Sequence, residues 1–108
     1  MSKVDPDRPA VVEINVGDVN SVHELHQRLA NKLGFPDFYG HNWAAFWDVI
    51  TGLVLMPQRL IVVGWSNVAT RWPKEAEKMM KCLHELNDQY PAWGCQVELR
   101  PSEDPSTS

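Results

Sequence analysis

The 108 residues carry a formal net charge of −4, with 44% hydrophobic and 22% charged residues. That length suits one domain with a single hydrophobic core, and the composition excludes bulk disorder. The acidic balance argues against nucleic acid as a partner, because binding a polyanion normally requires clustered Lys and Arg, and it favours a basic partner instead.

The two ends of the chain differ in composition from the middle. Residues 1–9 mix Pro with charges, residues 101–108 are polar, and neither shows periodicity, so we expect a flexible lead, a folded domain over 10–100 and a disordered tail. No run approaches the roughly 18 consecutive apolar residues of a membrane span, and the first residues lack the apolar core of a signal peptide, which favours a cytoplasmic protein. In that compartment Cys82 and Cys95 are expected to be free, mostly buried thiols.

The first two structured elements are a strand and a helix. The β-branched residues of 10–16 predict a strand buried on both faces. Residues 22–33 follow with the spacing of an amphipathic helix, capped by Asn20 or Ser21 and ended by Gly34.

Residues 36–53, PDFYGHNWAAFWDVITGL, concentrate aromatic side chains in a loop and a helix that begins near Asn42. On the opposite side from the expected core face, the helix places the large indole of Trp47 beside the carboxylate of Asp48. An exposed aromatic with a neighbouring charge is typical of an interface, although a tolerated surface Trp beside a solvated carboxylate is the plain alternative. The residues predicted to face the core are Trp43, Phe46, Val49, Ile50 and Leu53.

The remaining residues predict a strand over 60–64, a brief helix over 67–72, a long helix over 73–88 and a strand over 95–99. Strands separated by helices imply parallel pairing through right-handed crossovers. We therefore expect a small two-layer α/β domain.

Catalytic and metal chemistry find little support in the residue pattern. His23 and His26 are three residues apart on the first helix, but no third ligand is spaced to complete a metal site, so we expect a hydrogen-bonded core His26, no metal and no other cofactor. A small acid/base enzyme using His41, His84 and Glu85 is an alternative, yet nothing in the sequence brings these residues together. Phosphate-binding glycine loops and nucleophile elbows are absent from the sequence, which favours a protein that is not an enzyme.

Three motifs resemble the barstar family of intracellular ribonuclease inhibitors: ELHQRL at 24–29, PDFYGHNWAAFWDVITG at 36–52, and GCQVEL at 94–99. The resemblance implies a three-stranded parallel sheet flanked by about four helices, and inhibition without catalysis. It implies an immunity protein that covers the active site of a cognate bacterial toxin, a basic ribonuclease, in a 1:1 complex without binding nucleic acid or membrane. An interaction module that keeps this fold but binds a protein other than a toxin is a further alternative.

The residue pattern and the resemblance together give a candidate partner surface. Asp48 matches the family's principal inhibitory aspartate, Trp47 the adjacent tryptophan, and Glu85 a further acidic contact on the last long helix. The full set is Phe38, Tyr39, Gly40, Ala44, Trp47, Asp48, Thr51, Gly52 and Glu85.

Three positions depart from barstar at this surface. Ala44 stands where barstar has a second aspartate, Phe38 where it has a tyrosine, and Leu53 where it has a tryptophan. The loss of a charge and a hydroxyl suggests a target different from barnase.

Overall fold

The computed structural model describes residues 9–101 and alternates strands with helices. The strands are β1 Val11–Asn15, β2 Arg59–Val63 and β3 Gln96–Arg100, and the helices are α1 Val22–Leu33, α2 Trp43–Gly52, α3 Trp65–Arg71 and α4 Pro73–Gln89. A short 3-10 turn, Pro91–Trp93, connects α4 to β3. The expected α/β fold is thus confirmed, while the expected lead and tail lie almost wholly outside the described residues.

The sheet has the order β1-β2-β3, with both neighbouring pairs parallel. The central strand is buried from Leu60 to Val63, whereas in β1 only Ile14 is buried and Val11 is 51% exposed. The prediction that the first strand is buried on both faces is therefore wrong. Its β-branched residues lie at the edge of the sheet, and the strand between two neighbours takes the fully buried position.

One core joins the sheet to the helices. Ile14, Leu60 and Val62 from the sheet lie in the same buried cluster as Leu29 of α1 and Leu83 of α4. α2 and α3 both pack on α4, and α1 packs on β1. No helix within residues 9–101 is long and apolar enough to cross a membrane.

Local capping explains where α1 begins and ends. The hydroxyl of Ser21 accepts a hydrogen bond from the backbone N–H of Glu24 at 3.0 Å, and Gly34 ends the helix in the left-handed conformation at φ 73°. Both capping residues can be identified from neighbouring positions in the sequence, which is why the predicted bounds of this helix are confirmed.

The position of Leu53 at the carboxyl end of α2 differs from the prediction. Leu53 was predicted on the core face but is 56% exposed. The helix ends at Gly52, and Leu53 already has φ −120°, so its side chain leaves the helical stripe that Val49 and Ile50 continue to follow. Cys82 and Cys95 are not joined by a disulfide, as expected, and Cys95 is buried while Cys82 is half-buried.

Candidate partner-binding surface

The loop before α2 is held by the N-cap residue Asn42. Its side-chain oxygen accepts a hydrogen bond from the Ala45 N–H at 2.8 Å, and its amide nitrogen donates to the Gly40 carbonyl at 3.2 Å. A Cβ added to Gly40 would lie 3.2 Å from that amide nitrogen, so a larger residue would press on the cap. One side chain therefore fixes both the start of the helix and the turn that leads into it.

Beneath the loop, Tyr39 and His26 form a buried polar pair. The Tyr39 hydroxyl lies 2.5 Å from Nδ1 of His26, and the two side chains are 4% and 1% exposed. Burial lowers the pKa of His26 to about 4, with neighbouring His41 adding to the shift, and burial raises the pKa of Tyr39. Near neutral pH the imidazole is therefore neutral and shares a hydrogen bond with the hydroxyl, which confirms His26 as a hydrogen-bonded core histidine.

Trp43 ties the same end of α2 to two other helices. Its Nε1–H donates to Oε1 of Glu75 on α4 at 2.6 Å, and its ring lies 4.2 Å from the ring of His26 and 5.2 Å from that of Phe46. Since Glu75 is 32 residues away along the chain, no local signal in the sequence predicts this contact.

The outward side of the loop and helix carries the predicted charge and aromatic group. Asp48 is exposed and forms no ion pair with any residue in the range 9–101, and Phe38 is 77% exposed on the loop. Ala44 is exposed one turn before Asp48. Trp47 is half-buried and packs against the core, so its indole is less exposed than expected.

Three further predicted residues lie toward the carboxyl end of α2. The Thr51 hydroxyl donates to the Trp47 carbonyl at 2.6 Å, which leaves its lone pairs to accept from a partner, and Gly52 is exposed. Glu85 is half-buried on α4. It lies three residues after Cys82, whose Sγ is 3.8 Å from the Trp43 carbonyl, so it follows the side of α4 that faces α2.

Tyr39 and the histidines are placed differently from the rest of the candidate residues. The buried Tyr39 side chain supports the loop from below, whereas Phe38 and Gly40 are exposed. His41 stacks on His23 with ring centroids 4.5 Å apart, and no hydrogen bond or ring contact in the described chain joins it to His84 or Glu85. The structure does not bring together the residues of the alternative acid/base site.

Two aromatic residues that the sequence did not single out lie close to this surface. Tyr90 is 43% exposed and Trp93 54% exposed, and both line a cavity of about 410 Å³ with Thr51 and Gly52. The signal for them was the pair of aromatics around Pro91, but their position beside α2 depends on how α4 packs.

Two comparisons with known proteins bear on this surface. The model of the family described as Barstar (barnase inhibitor) matches residues 10–101. The candidate ribonuclease inhibitor YrdF of Bacillus subtilis (strain 168) is 32% identical over 72 residues, which are 67% of this chain and 79% of that protein. Both matches agree with the resemblance drawn from the sequence motifs.

Proposed function

The chain belongs to the barstar family, whose members are inhibitors, and on that premise we propose that it is a cytoplasmic immunity protein that blocks a cognate ribonuclease toxin. The proposed contact surface runs along the loop and outward side of α2, with Glu85 of α4 beside it. Inhibition of this kind requires a surface whose shape and charge are complementary to the enzyme's active site, and it requires no turnover by the inhibitor.

The observation that carries the proposal is that Asp48 is exposed and has no ion pair within residues 9–101. Aspartate is a poor residue for a helix interior, costing several tenths of a kcal/mol relative to Ala, and here no cation within the described chain offsets that cost. A carboxylate that weakens its own helix and lacks an internal partner is suited to an external one. Ribonucleases bind RNA phosphates through Arg and Lys, and such a cation can pair with Asp48.

The surroundings of Asp48 favour a tight complex. Phe38 offers a large exposed ring for the partner, and Trp47 supplies a half-buried indole whose position is held by the core. Because Asn42 and Trp43 anchor the start of α2, little conformational freedom remains to be lost on binding. The net charge of −4 also favours rapid, salt-sensitive association with a basic enzyme.

The test is inhibition of purified ribonucleases of the barnase type by this protein and by Asp48→Ala. Wild-type protein is expected to abolish RNA cleavage at a 1:1 ratio. Asp48→Ala is expected to weaken binding by about 2 to 5 kcal/mol, because an enzyme cation is left buried and unpaired.

A matched control separates the contact from net charge. Glu77→Ala removes the same charge from α4 beside Trp65, away from α2, and is expected to leave inhibition nearly unchanged. Equal weakening by both variants would show that only the overall charge matters. If no ribonuclease is inhibited and a different protein is captured, the interaction-module alternative replaces this proposal.

A second readout distinguishes a lost contact from a damaged fold. Asp48→Ala replaces a poor helix former with the best one, so the free variant is expected to be more stable by about 0.5 kcal/mol. Chemical denaturation of the free protein measures this. A variant that is more stable yet inhibits less fits a residue kept for binding, whereas a less stable variant contradicts that account.

A further inference from the structure

The carboxyl ends of α2 and α4 meet at a groove of about 410 Å³, here called the α2–α4 groove. Leu86 and Leu53 form apolar walls, and Tyr90 and Trp93 add two partly exposed aromatic rings. Thr51 belongs both to this groove and to the proposed contact surface, so the two regions are continuous.

The electrostatics of the groove favour a positive charge. α2 and α4 run in the same direction, because Trp43 at the start of α2 contacts Glu75 near the start of α4, while Gly52 and Tyr90 line the groove at the other end. Neither helix has a basic residue in its last turn. The partial negative charges of two helix ends therefore reach the groove without a cation of their own to balance them.

Backbone carbonyls strengthen this preference. Within residues 9–101, no hydrogen-bond donor reaches the carbonyl oxygens of Thr51 or Gly52. A purely apolar occupant would cover these oxygens without offering a donor, which is unfavourable because a buried carbonyl without a hydrogen bond loses its hydration. A cationic side chain supplies donors for the carbonyls, a charge for the aromatic faces and an apolar stem for the leucines.

The segment that carries the two aromatic residues is held in place. The Asn87 side chain accepts from the Cys95 N–H at 2.6 Å and donates to the Cys95 carbonyl at 3.0 Å, which ties the end of α4 to the start of β3. The 3-10 turn Pro91–Trp93 lies between these anchors. The aromatic wall is therefore formed before any partner arrives.

We propose that the α2–α4 groove receives an arginine or lysine side chain of the ribonuclease, at a second contact beside that made by Asp48. This assignment rests on the proposed function, because it is the basic enzyme that brings the cation. It extends the contact past the end of α2 to Tyr90 and Trp93, and so names a determinant of partner choice that lies outside the loop and helix.

Opposite charges at one exposed position test the groove in the complex. Leu53→Lys places a cation at the groove and is expected to weaken inhibition by about tenfold or more, whereas Leu53→Glu is expected to preserve or improve it. Leu99 of β3, which is 40% exposed and does not line the groove, carries the matched controls Leu99→Lys and Leu99→Glu. Equal weakening by both Leu53 variants would show an apolar occupant, and unchanged inhibition by both would show that the groove is not in the contact; either result overturns the proposal.

A probe that needs no enzyme separates this proposal from the proposed function. The free protein is titrated with acetyl-arginine methylamide or acetyl-norleucine methylamide while the Trp93 indole N–H is followed by NMR. The arginine compound is expected to shift that signal, and Leu53→Lys is expected to remove the shift. An equal response to norleucine, or no response to either compound, contradicts a cation site even if the protein inhibits its ribonuclease through Asp48.

Discussion

The two ends of α2 are built in different ways. At the amino end, side chains make the connections: Asn42 caps the helix, Trp43 bonds to Glu75, and Tyr39 bonds to His26. At the carboxyl end, the Leu53 and Val54 backbone N–H groups bond to the Val49 carbonyl at 3.0 and 3.1 Å, and no side chain of the described region caps the helix.

On the proposed contact surface, the two ends of α2 have different roles. The amino end, here called the tied end, holds the loop with Phe38 at a fixed position relative to Asp48, and such preorganisation reduces the entropy lost on binding. The carboxyl end, here called the open end, leaves Leu53 exposed beside the α2–α4 groove, where the fold tolerates substitutions. Changes at the tied end are therefore expected to alter stability first, and changes at the open end to alter partner choice first.

The largest expected effect comes from Trp43→Ala at the tied end. It removes the ring packed on His26 and Phe46 together with the hydrogen bond to Glu75. We expect the free energy of unfolding to fall by about 3 kcal/mol, which is the lower end of the range for a Trp truncation because Trp43 is half-buried. Leu53→Ala is the matched truncation at the open end and is expected to cost about 0.5 kcal/mol or less. Urea denaturation of both variants measures the difference, and equal losses would remove the distinction between the two ends.

Lowering the pH is expected to reduce the free energy of unfolding by a similar amount, through His26 at the tied end. Because the pKa of His26 is about 4 in the folded chain and about 6.5 when unfolded, the unfolded state binds the extra proton between these values. The contribution is fully present above pH 6.5, falls as the pH decreases toward 4 and amounts to about 2 to 3 kcal/mol. Denaturation curves between pH 7 and pH 4 measure it, with His26→Gln as the variant in which this part of the pH dependence is expected to disappear.

Two surface carboxylates provide an internal comparison for that titration. Hydrogen bonds from Arg28 and Arg59 lower the pKa of Asp18 and Glu98, respectively. Their contributions are lost only as the pH falls through the acidic carboxyl range, below most of the His26 window. A stability loss confined to that lower range in wild-type protein would contradict the assignment to His26.

Tyr39→Phe is expected to have a smaller effect at the same site. The ring still packs on Phe35, at 4.9 Å, but Nδ1 of the buried His26 loses its hydrogen-bond partner, which costs about 1 to 2 kcal/mol. The same change is expected to leave the exposed Phe38 in place and inhibition largely intact. Thermal unfolding together with a ribonuclease assay checks both statements, and a large loss of inhibition at unchanged stability would make Tyr39 a direct contact.

Local signals account for what the sequence predicted well. Ser21 and Gly34 mark the ends of α1, and the three- and four-residue spacing of its apolar residues identifies its buried face. The exposure of Asp48 likewise follows from helical spacing alone. Such features depend on residues within a few positions of one another, so a single sequence contains them.

Long-range packing accounts for what the sequence did not predict. The edge position of β1 depends on strand order. The bond between Trp43 and Glu75 and the groove at Tyr90 depend on how α4 lies against α2. None of these is encoded by spacing, because each joins residues that are far apart along the chain.

Among the truncations at the amino end of α2, the smallest effect is expected from Asn42→Ala, which makes this end resemble the carboxyl end by removing the side-chain cap. The bonds to the Ala45 N–H and the Gly40 carbonyl are both lost, at a cost of about 1 kcal/mol. Asn42→Asp is the matched control, since its carboxylate still accepts from the Ala45 N–H. If the loop must be held for binding, Asn42→Ala slows association with the ribonuclease more than Asn42→Asp does, which stopped-flow fluorescence measures. Equal association rates for both variants would mean that Trp43 alone keeps the loop in its binding position, and that the amino end of α2 needs its ring and not its cap.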